Sequence, residues 1–122
     1  MKAIQVLDKA FVPFITASEI DRKIQEIADR INKAYSDKNP LFIAVLNGSF
    51  MFASDLFKKI TIPAQISFIK LASYKGTTST GNVITAIGLD ESLKDRHIIL
   101  LEDIIDTGKT LSEFLPQLWN HA

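Results

Sequence analysis

Apolar and polar residues alternate along this chain in blocks whose spacing differs from one block to the next. Between Ile20 and Tyr35, apolar residues recur every three or four positions and charged residues fill the places between them, which is typical of an amphipathic helix. Thr16 and Glu19 have the spacing of a capping box, and Ser18 is an alternative N-cap. We therefore predict a surface helix that begins near Thr16 and covers a sheet.

Four apolar runs, separated by turn signals, predict the strands of that sheet. They cover residues 41–46, about 65–71, 83–89 and 98–101. The first run is wholly apolar, as expected of a central strand that is covered on both faces. A second helix is predicted over residues 50–59 and a third from about residue 110, which Pro116 kinks or shortens. Residues 1–15 are mixed and predict no regular element, since Pro13 discourages a helix there.

The alternation of strands and helices predicts a single α/β domain over residues 1–122. Strand–helix–strand units form right-handed crossovers, so the sheet is expected to be open, twisted and mostly parallel, with flanking helices. If the first strand is central, with the second and fourth on either side of it, the winding of the chain reverses there. Ligands of such sheets bind at this reversal, beyond the carboxyl ends of the strands.

Composition excludes several classes of protein. Lys and Arg together number 14, as do Asp and Glu, so no strong positive field favours a nucleic-acid partner. The absence of cysteine excludes disulfides and thiolate zinc sites and fits a cytoplasmic protein. We expect no membrane association, because no apolar run approaches the length of a bilayer span.

The most informative chemistry follows the fourth predicted strand. Glu102 and Asp103 come directly after the apolar run, and Asp106 precedes the turn Thr107-Gly108-Lys109-Thr110, which leads into the third predicted helix. Free N–H groups and the helix dipole at such a turn suit a phosphate. Carboxylates would repel that phosphate, so they are placed instead for sugar hydroxyls, a divalent cation or a proton.

Three segments, in order, resemble the type I phosphoribosyltransferase family, specifically its hypoxanthine/guanine branch. Residues 100–111 resemble its motif for phosphoribosyl pyrophosphate (PRPP), residues 46–52 its pyrophosphate loop, and residues 73–81 its mobile active-site loop. The family pattern continues beyond Ala122 into a segment that reads the purine base. We therefore expect this chain to be the N-terminal part of the family domain, lacking the C-terminal part.

The resemblance implies roles for the residues around the PRPP motif. Asp106, Thr107, Gly108, Lys109 and Thr110 would bind the 5′-phosphate. Glu102 and Asp103 would hold the ribose hydroxyls and Mg²⁺, the implied cofactor. Asp106 would also be the catalytic acid/base group that faces the purine N7.

The other two segments have implied roles as well. Leu46, Asn47, Gly48 and Ser49 would bind pyrophosphate, with a cis peptide between Leu46 and Asn47. The family often has lysine where this chain has Asn47, so the side chain's part in binding is open while the backbone role stands. The flexible loop, with Ser73 and Tyr74, would close over the reaction centre and exclude water.

The implied function is purine salvage by an enzyme. It would transfer 5-phosphoribosyl from PRPP to the 6-oxopurines hypoxanthine or guanine, giving IMP or GMP and pyrophosphate, as a homodimer or homotetramer. One alternative is a regulatory PRPP- or nucleotide-binding module of the same fold, and another is an α/β fragment without a competent site. His97 and His121 are expected to lie at the surface without a catalytic role.

Overall fold

The structure is a computed structural model that describes residues 3–75, 82–87, 93–104 and 115–116. Within those ranges the regular elements follow one another as a hairpin, a helix–strand–helix segment and three further strands. They are β1 (Ile4–Val6), β2 (Lys9–Phe11), α1 (Ala17–Ala34), β3 (Leu41–Leu46), α2 (Phe50–Phe57), β4 (Gln65–Lys75), β5 (Asn82–Ile87) and β6 (Ile98–Leu101).

The main sheet has the strand order β5-β4-β3-β6. β3 is central and pairs in parallel with β4 on one side and β6 on the other, whereas β5 is antiparallel to β4. The predicted α/β fold, with a mostly parallel sheet and the first long strand at its centre, is confirmed. The chain reverses its winding at β3, as the predicted order of strands requires.

β3 is buried on both faces, which explains its uninterrupted apolar sequence. Phe42 and Ala44 point to the side that the helices cover, while Leu41, Ile43 and Val45 point to the other side. The helical side of the core has these fully buried partners: Ile24, Ala28, Ala53, Leu56 and Leu101. The opposite side packs against Ile69 and Leu93. One apolar strand therefore contributes residues to both halves of the core.

α1 begins where the capping box predicts. Thr16 is the N-cap, its hydroxyl accepts the Glu19 N–H at 3.2 Å, and the Glu19 carboxylate accepts the Thr16 N–H at 3.4 Å. The alternative start at Ser18 is wrong, because Ser18 already lies inside the helix. Ile24 and Ala28 form the buried stripe of α1, so the helix covers the sheet as predicted.

One element was not predicted, and two predicted boundaries need correction. Residues 1–15, for which the mixed sequence predicted no helix, contain the β1–β2 hairpin, in which Ile4 pairs with Phe11. β4 continues to Lys75 instead of ending near Leu71, because its last residues pair with β5. α2 ends at Phe57, two residues before the predicted end.

The predicted third helix lies largely outside the described residues, where only Leu115 and Pro116 are helical. None of the helices in the described ranges is long and apolar enough to cross a membrane.

Candidate active site

Two loops meet at the carboxyl edge of the sheet because their strands are parallel neighbours. Ala44 of β3 is in register with Leu101 of β6, so the residues that follow each strand emerge side by side. One loop follows Leu46, the last residue of β3, and leads into α2, and the other begins with Glu102 and Asp103. We expected the first loop to face residues 106–110, which lie outside the described residues, so that part of the arrangement stays a prediction.

Gly48 and Asp103 form the closest approach between the two loops. A Cβ atom added at Gly48 would lie 2.3 Å from Oδ2 of Asp103 and 2.8 Å from its Cγ. The Asp103 carboxyl group therefore occupies the space where any other residue at position 48 would carry a side chain.

The loop that follows β3 has the backbone form that the resemblance implies. The peptide bond between Leu46 and Asn47 is cis. Asn47 and Gly48 are exposed, and the Asn47 carbonyl accepts the Phe50 N–H at 3.2 Å. This segment presents backbone and a neutral amide side chain at the sheet edge.

Ser49 lies in this loop but points inward. Its side chain is fully buried, and its hydroxyl donates to the carbonyl of Val45. The Ser49 N–H donates to the same carbonyl at 3.3 Å. The hydroxyl proton of Ser49 therefore fixes the turn at the end of β3, which the sequence alone did not indicate.

The two carboxylates at the end of β6 differ in environment. Glu102 is half-buried and Asp103 is exposed, and the Asp103 N–H donates to Oε1 of Glu102 at 3.0 Å. Burial raises the pKa of Glu102, and the adjacent Asp103 carboxylate adds to the rise. The pKa of Asp103 is lowered, chiefly by a hydrogen bond from the Glu102 side chain and then by the Ile104 backbone. A proton shared by the pair therefore resides on Glu102.

This pair has the chemistry of a magnesium site that is completed by a ligand. Within the described ranges, no cluster of three or more His, Cys, Asp or Glu side chains is arranged to hold a metal ion. Mg²⁺ in proteins is commonly held by only one or two carboxylates, together with water and the oxygens of a bound phosphate. The oxygen donors of Glu102 and Asp103 fit that requirement.

The β4–β5 hairpin extends beyond the same edge of the sheet. Lys70 of β4 is in register with Leu46, the last residue of β3. Ser73 and Tyr74 therefore lie three and four positions past the end of β3, paired with Ile84 and Val83. At about 3.3 Å per residue, they stand roughly 10 Å or more beyond the rim. Their backbones belong to a strand, and their role in a closing loop stays a prediction.

Several residues with predicted roles lie outside the described ranges. They are Asp106, Thr107, Gly108, Lys109 and Thr110, together with His121. His97 is exposed and makes an edge-to-face contact with Tyr35, with 6.2 Å between ring centroids. The expected surface position of His97 is confirmed.

The raised pKa of Glu102 makes a testable prediction about stability and pH. A group whose pKa is higher in the folded state stabilises the fold below its unfolded pKa, and that contribution is lost as the pH rises through the folded value. Glu102→Gln cannot lose a proton. We therefore expect the melting temperature of Glu102→Gln, relative to the unsubstituted chain, to rise as the pH increases from about 4.5, the ordinary glutamate value.

Asp103→Asn is the control for this measurement because the pKa of Asp103 is shifted in the opposite direction. A lowered pKa contributes stability above the unfolded value, and that contribution is lost as the pH falls through the folded value. The relative melting temperature of Asp103→Asn should therefore fall as the pH rises. Calorimetric scans that begin well below pH 3.8, the ordinary aspartate value, and extend to about pH 7 measure both differences, and two curves of the same slope would show that the pair does not titrate in this way.

Comparisons with known proteins agree with this geometry. A family model of the phosphoribosyl transferase domain matches residues 16–122. The chain is 39% identical over 100 residues to the hypoxanthine-guanine-xanthine phosphoribosyltransferase of Tritrichomonas foetus. The matched residues are 82% of this chain and 55% of that protein. It is 38% identical over 117 residues to the hypoxanthine-guanine phosphoribosyltransferase of Lactococcus lactis, with 94% and 63% covered.

Solved structures give the same result. The fold is similar to a crystal structure of a hypoxanthine-guanine phosphoribosyltransferase from Bacillus anthracis, with a TM-score of 0.76, 31% identity, and coverage of 88% of this chain and 62% of that one. It is also similar to the hypoxanthine phosphoribosyltransferase of Trypanosoma cruzi in a ternary substrates complex, with a TM-score of 0.74, 30% identity, and coverage of 85% and 62%.

The chain spans between 55% and 63% of the length of these relatives. The family model nevertheless matches all but the first 15 residues, and the sheet order, the two facing loops and the cis peptide occur within the matched part. This chain therefore belongs to the phosphoribosyl transferase domain family.

Proposed function

We propose that this chain carries the PRPP-binding part of a purine-salvage enzyme. The reaction is the transfer of 5-phosphoribosyl from PRPP to hypoxanthine or guanine, which gives IMP or GMP and pyrophosphate. The observation that carries the proposal is the contact between Gly48 and Asp103. It joins a carboxylate pair suited to ribose hydroxyls to a backbone loop suited to pyrophosphate.

The carboxylate pair is the sugar-binding half of the proposed site. Asp103 is exposed and its lowered pKa keeps it ionised at neutral pH, so it accepts hydrogen bonds from two hydroxyls of a ribose. Such charge-assisted hydrogen bonds are roughly twice as strong as neutral ones. Glu102 lies beside it, is less exposed, and fixes the Asp103 backbone through its hydrogen bond.

The loop that follows β3 is the pyrophosphate half, with Asn47 and Gly48 exposed and Ser49 holding the turn through its bonds to the Val45 carbonyl. The exposed backbone of Asn47 and Gly48 approaches the anion, and the Asn47 amide donates hydrogen bonds without adding charge. Mg²⁺, held by Glu102 and Asp103 together with pyrophosphate oxygens, would neutralise part of the negative charge on the leaving group. Because Asn47 is neutral, we expect binding to depend more strongly on that cation than in relatives with lysine at this position.

The remaining predicted roles complete the proposal. Asp106 is assigned as the acid/base group at the purine N7, and residues 106–110 as the cradle of the 5′-phosphate. Ser73 and Tyr74 stand at the base of the segment that would close over the reacting carbon. A homodimer or homotetramer and a cytoplasmic location, both implied by the resemblance, stay predictions.

Calorimetry and a turnover assay test this function in two steps. PRPP is titrated into the chain in Mg²⁺ and again with the cation removed by chelation, and we expect measurable binding only in the first titration. Hypoxanthine is then added and IMP formation is followed by chromatography. Binding without IMP would agree with a chain that carries only the PRPP-binding part of the reaction, while the absence of binding would contradict the proposal itself.

A further inference from the structure

The Asp103 carboxyl group lies directly against Gly48. We propose that Gly48 is a positioning residue for Asp103. Its missing side chain lets the carboxylate lie directly against the loop that follows β3, so that the sugar-side carboxylate and the pyrophosphate-side loop occupy adjoining positions. The inference rests on the proposed function, because that function gives Asp103 a ligand to hold.

The requirement for glycine is one of space. The three heavy atoms nearest to a Cβ at position 48 are Oδ2, Cγ and Oδ1 of Asp103, at 2.3, 2.8 and 3.1 Å. The first two distances are shorter than any ordinary carbon contact with a neighbouring group. The backbone of Gly48 is not in the left-handed region that favours glycine, so the obstacle to alanine is the Asp103 carboxyl, which supplies the three atoms nearest to an added Cβ.

The loop is anchored from below at Ser49, so movement of the Asp103 side chain relieves the clash more readily than movement of the loop. Ser49 is fully buried, with its hydroxyl bonded to the Val45 carbonyl. The Ser49 carbonyl accepts the Ala53 N–H at 2.8 Å in the first turn of α2. A side chain at position 48 therefore displaces the group above it.

Asp103 is the group that can move. Its side chain is exposed, and its carboxyl is the end of a rotatable side chain. The hydrogen bond that holds this segment to Glu102 comes from the Asp103 backbone, so it survives rotation of the carboxyl group. Alanine at position 48 is thus expected to turn the carboxylate away from the loop while the fold persists.

This arrangement predicts a separation between stability and binding. Gly48→Ala should leave the melting temperature within a few degrees of that of the unsubstituted chain. It should weaken PRPP binding in Mg²⁺ on the order of tenfold to a hundredfold, the range typical for loss of an outer-shell partner of a metal-binding group. A purely structural glycine would instead lose stability and binding together.

A double-mutant cycle in melting temperature tests the contact without any ligand. Gly48→Ala is made in the unsubstituted chain and in Asp103→Ala, where the obstructing carboxyl is absent. We expect the change to be more favourable in the second background, because alanine there restricts the unfolded chain without a clash. Asp55→Ala, which removes an exposed carboxylate on α2, is the matched background and should show no such gain.

The outcomes separate this inference from the function on which it rests. Equal shifts of melting temperature in all three backgrounds would overturn the contact. A confirmed contact with unchanged PRPP affinity in Gly48→Ala would overturn the positioning role alone. Failure of the unsubstituted chain to bind PRPP would overturn the proposed function and the positioning role together, and the cycle would then show whether the contact exists.

Discussion

Replacing both carboxylates of the pair, as Glu102→Gln/Asp103→Asn, is expected to lower the affinity for PRPP in Mg²⁺ by roughly two to four orders of magnitude. Each substitution removes a charged acceptor, and a hydrogen bond to a charged group contributes about 1.5–3 kcal/mol. The amides keep the size of the side chains but neither attract the cation nor accept hydroxyl protons as strongly. Calorimetric titration of PRPP in excess Mg²⁺ measures the change.

The matched control is Glu26→Gln/Asp29→Asn, which makes the same chemical changes on the exposed face of α1. Glu26 pairs with Lys23 at 3.3 Å between two exposed side chains, and such surface pairs contribute about 0–1 kcal/mol. The control should therefore bind PRPP as the unsubstituted chain does. Equal affinities for both double variants, with unchanged circular dichroism, would show that the pair after β6 does not hold the ligand.

The central part of the fold was predictable because its sequence carries a strong and local signal. The apolar runs of residues 41–46 and 98–101 coincide with β3 and β6. β3 is buried on both faces and has no polar position, and the partly buried β6 contributes apolar residues to both sides of the core. Thr16 and Glu19 predicted the start of α1 for an equally local reason. The capping box satisfies the backbone donors of the first turn without help from the rest of the chain.

Other elements depend on pairing that no local pattern reveals. The β1–β2 hairpin turns at Leu7 and Asp8, and Leu7 has a φ of 57°, where glycine or asparagine usually stands. The sequence predicts too early an end for β4, because Ser73 and Lys75 are polar. Its strand conformation comes from the antiparallel ladder with β5, which joins segments separated by a polar loop.

The site was predictable in outline and not in detail. The resemblance placed the loop after β3 and the carboxylates after β6, and the parallel order of strands brought their ends together. The inward direction of Ser49 and the contact of Asp103 with Gly48 follow from side-chain packing at distances of a few ångströms. No periodicity or spacing in the sequence encodes those distances.

Phe42→Ala is expected to be the most destabilising substitution in the described core, by about 3–5 kcal/mol. Phe42 is fully buried in the central strand and meets Phe57 edge to face, with 5.5 Å between ring centroids. Removing the ring loses its transfer free energy, leaves a cavity on the helical side of β3 and abolishes the aromatic contact. The melting temperature should fall by roughly 10–20 °C.

Phe14→Ala is the matched control, since Phe14 is 94% exposed and surface substitutions usually change stability by about 0.5 kcal/mol or less. Denaturant unfolding followed by circular dichroism measures both variants on the same scale. Similar midpoints for the two would mean that β3 is not the centre of the core. Because Asn47 directly follows this strand, a large loss in Phe42→Ala alone would also show that the loop of the candidate site is attached to the strand whose packing contributes most to the stability of the fold.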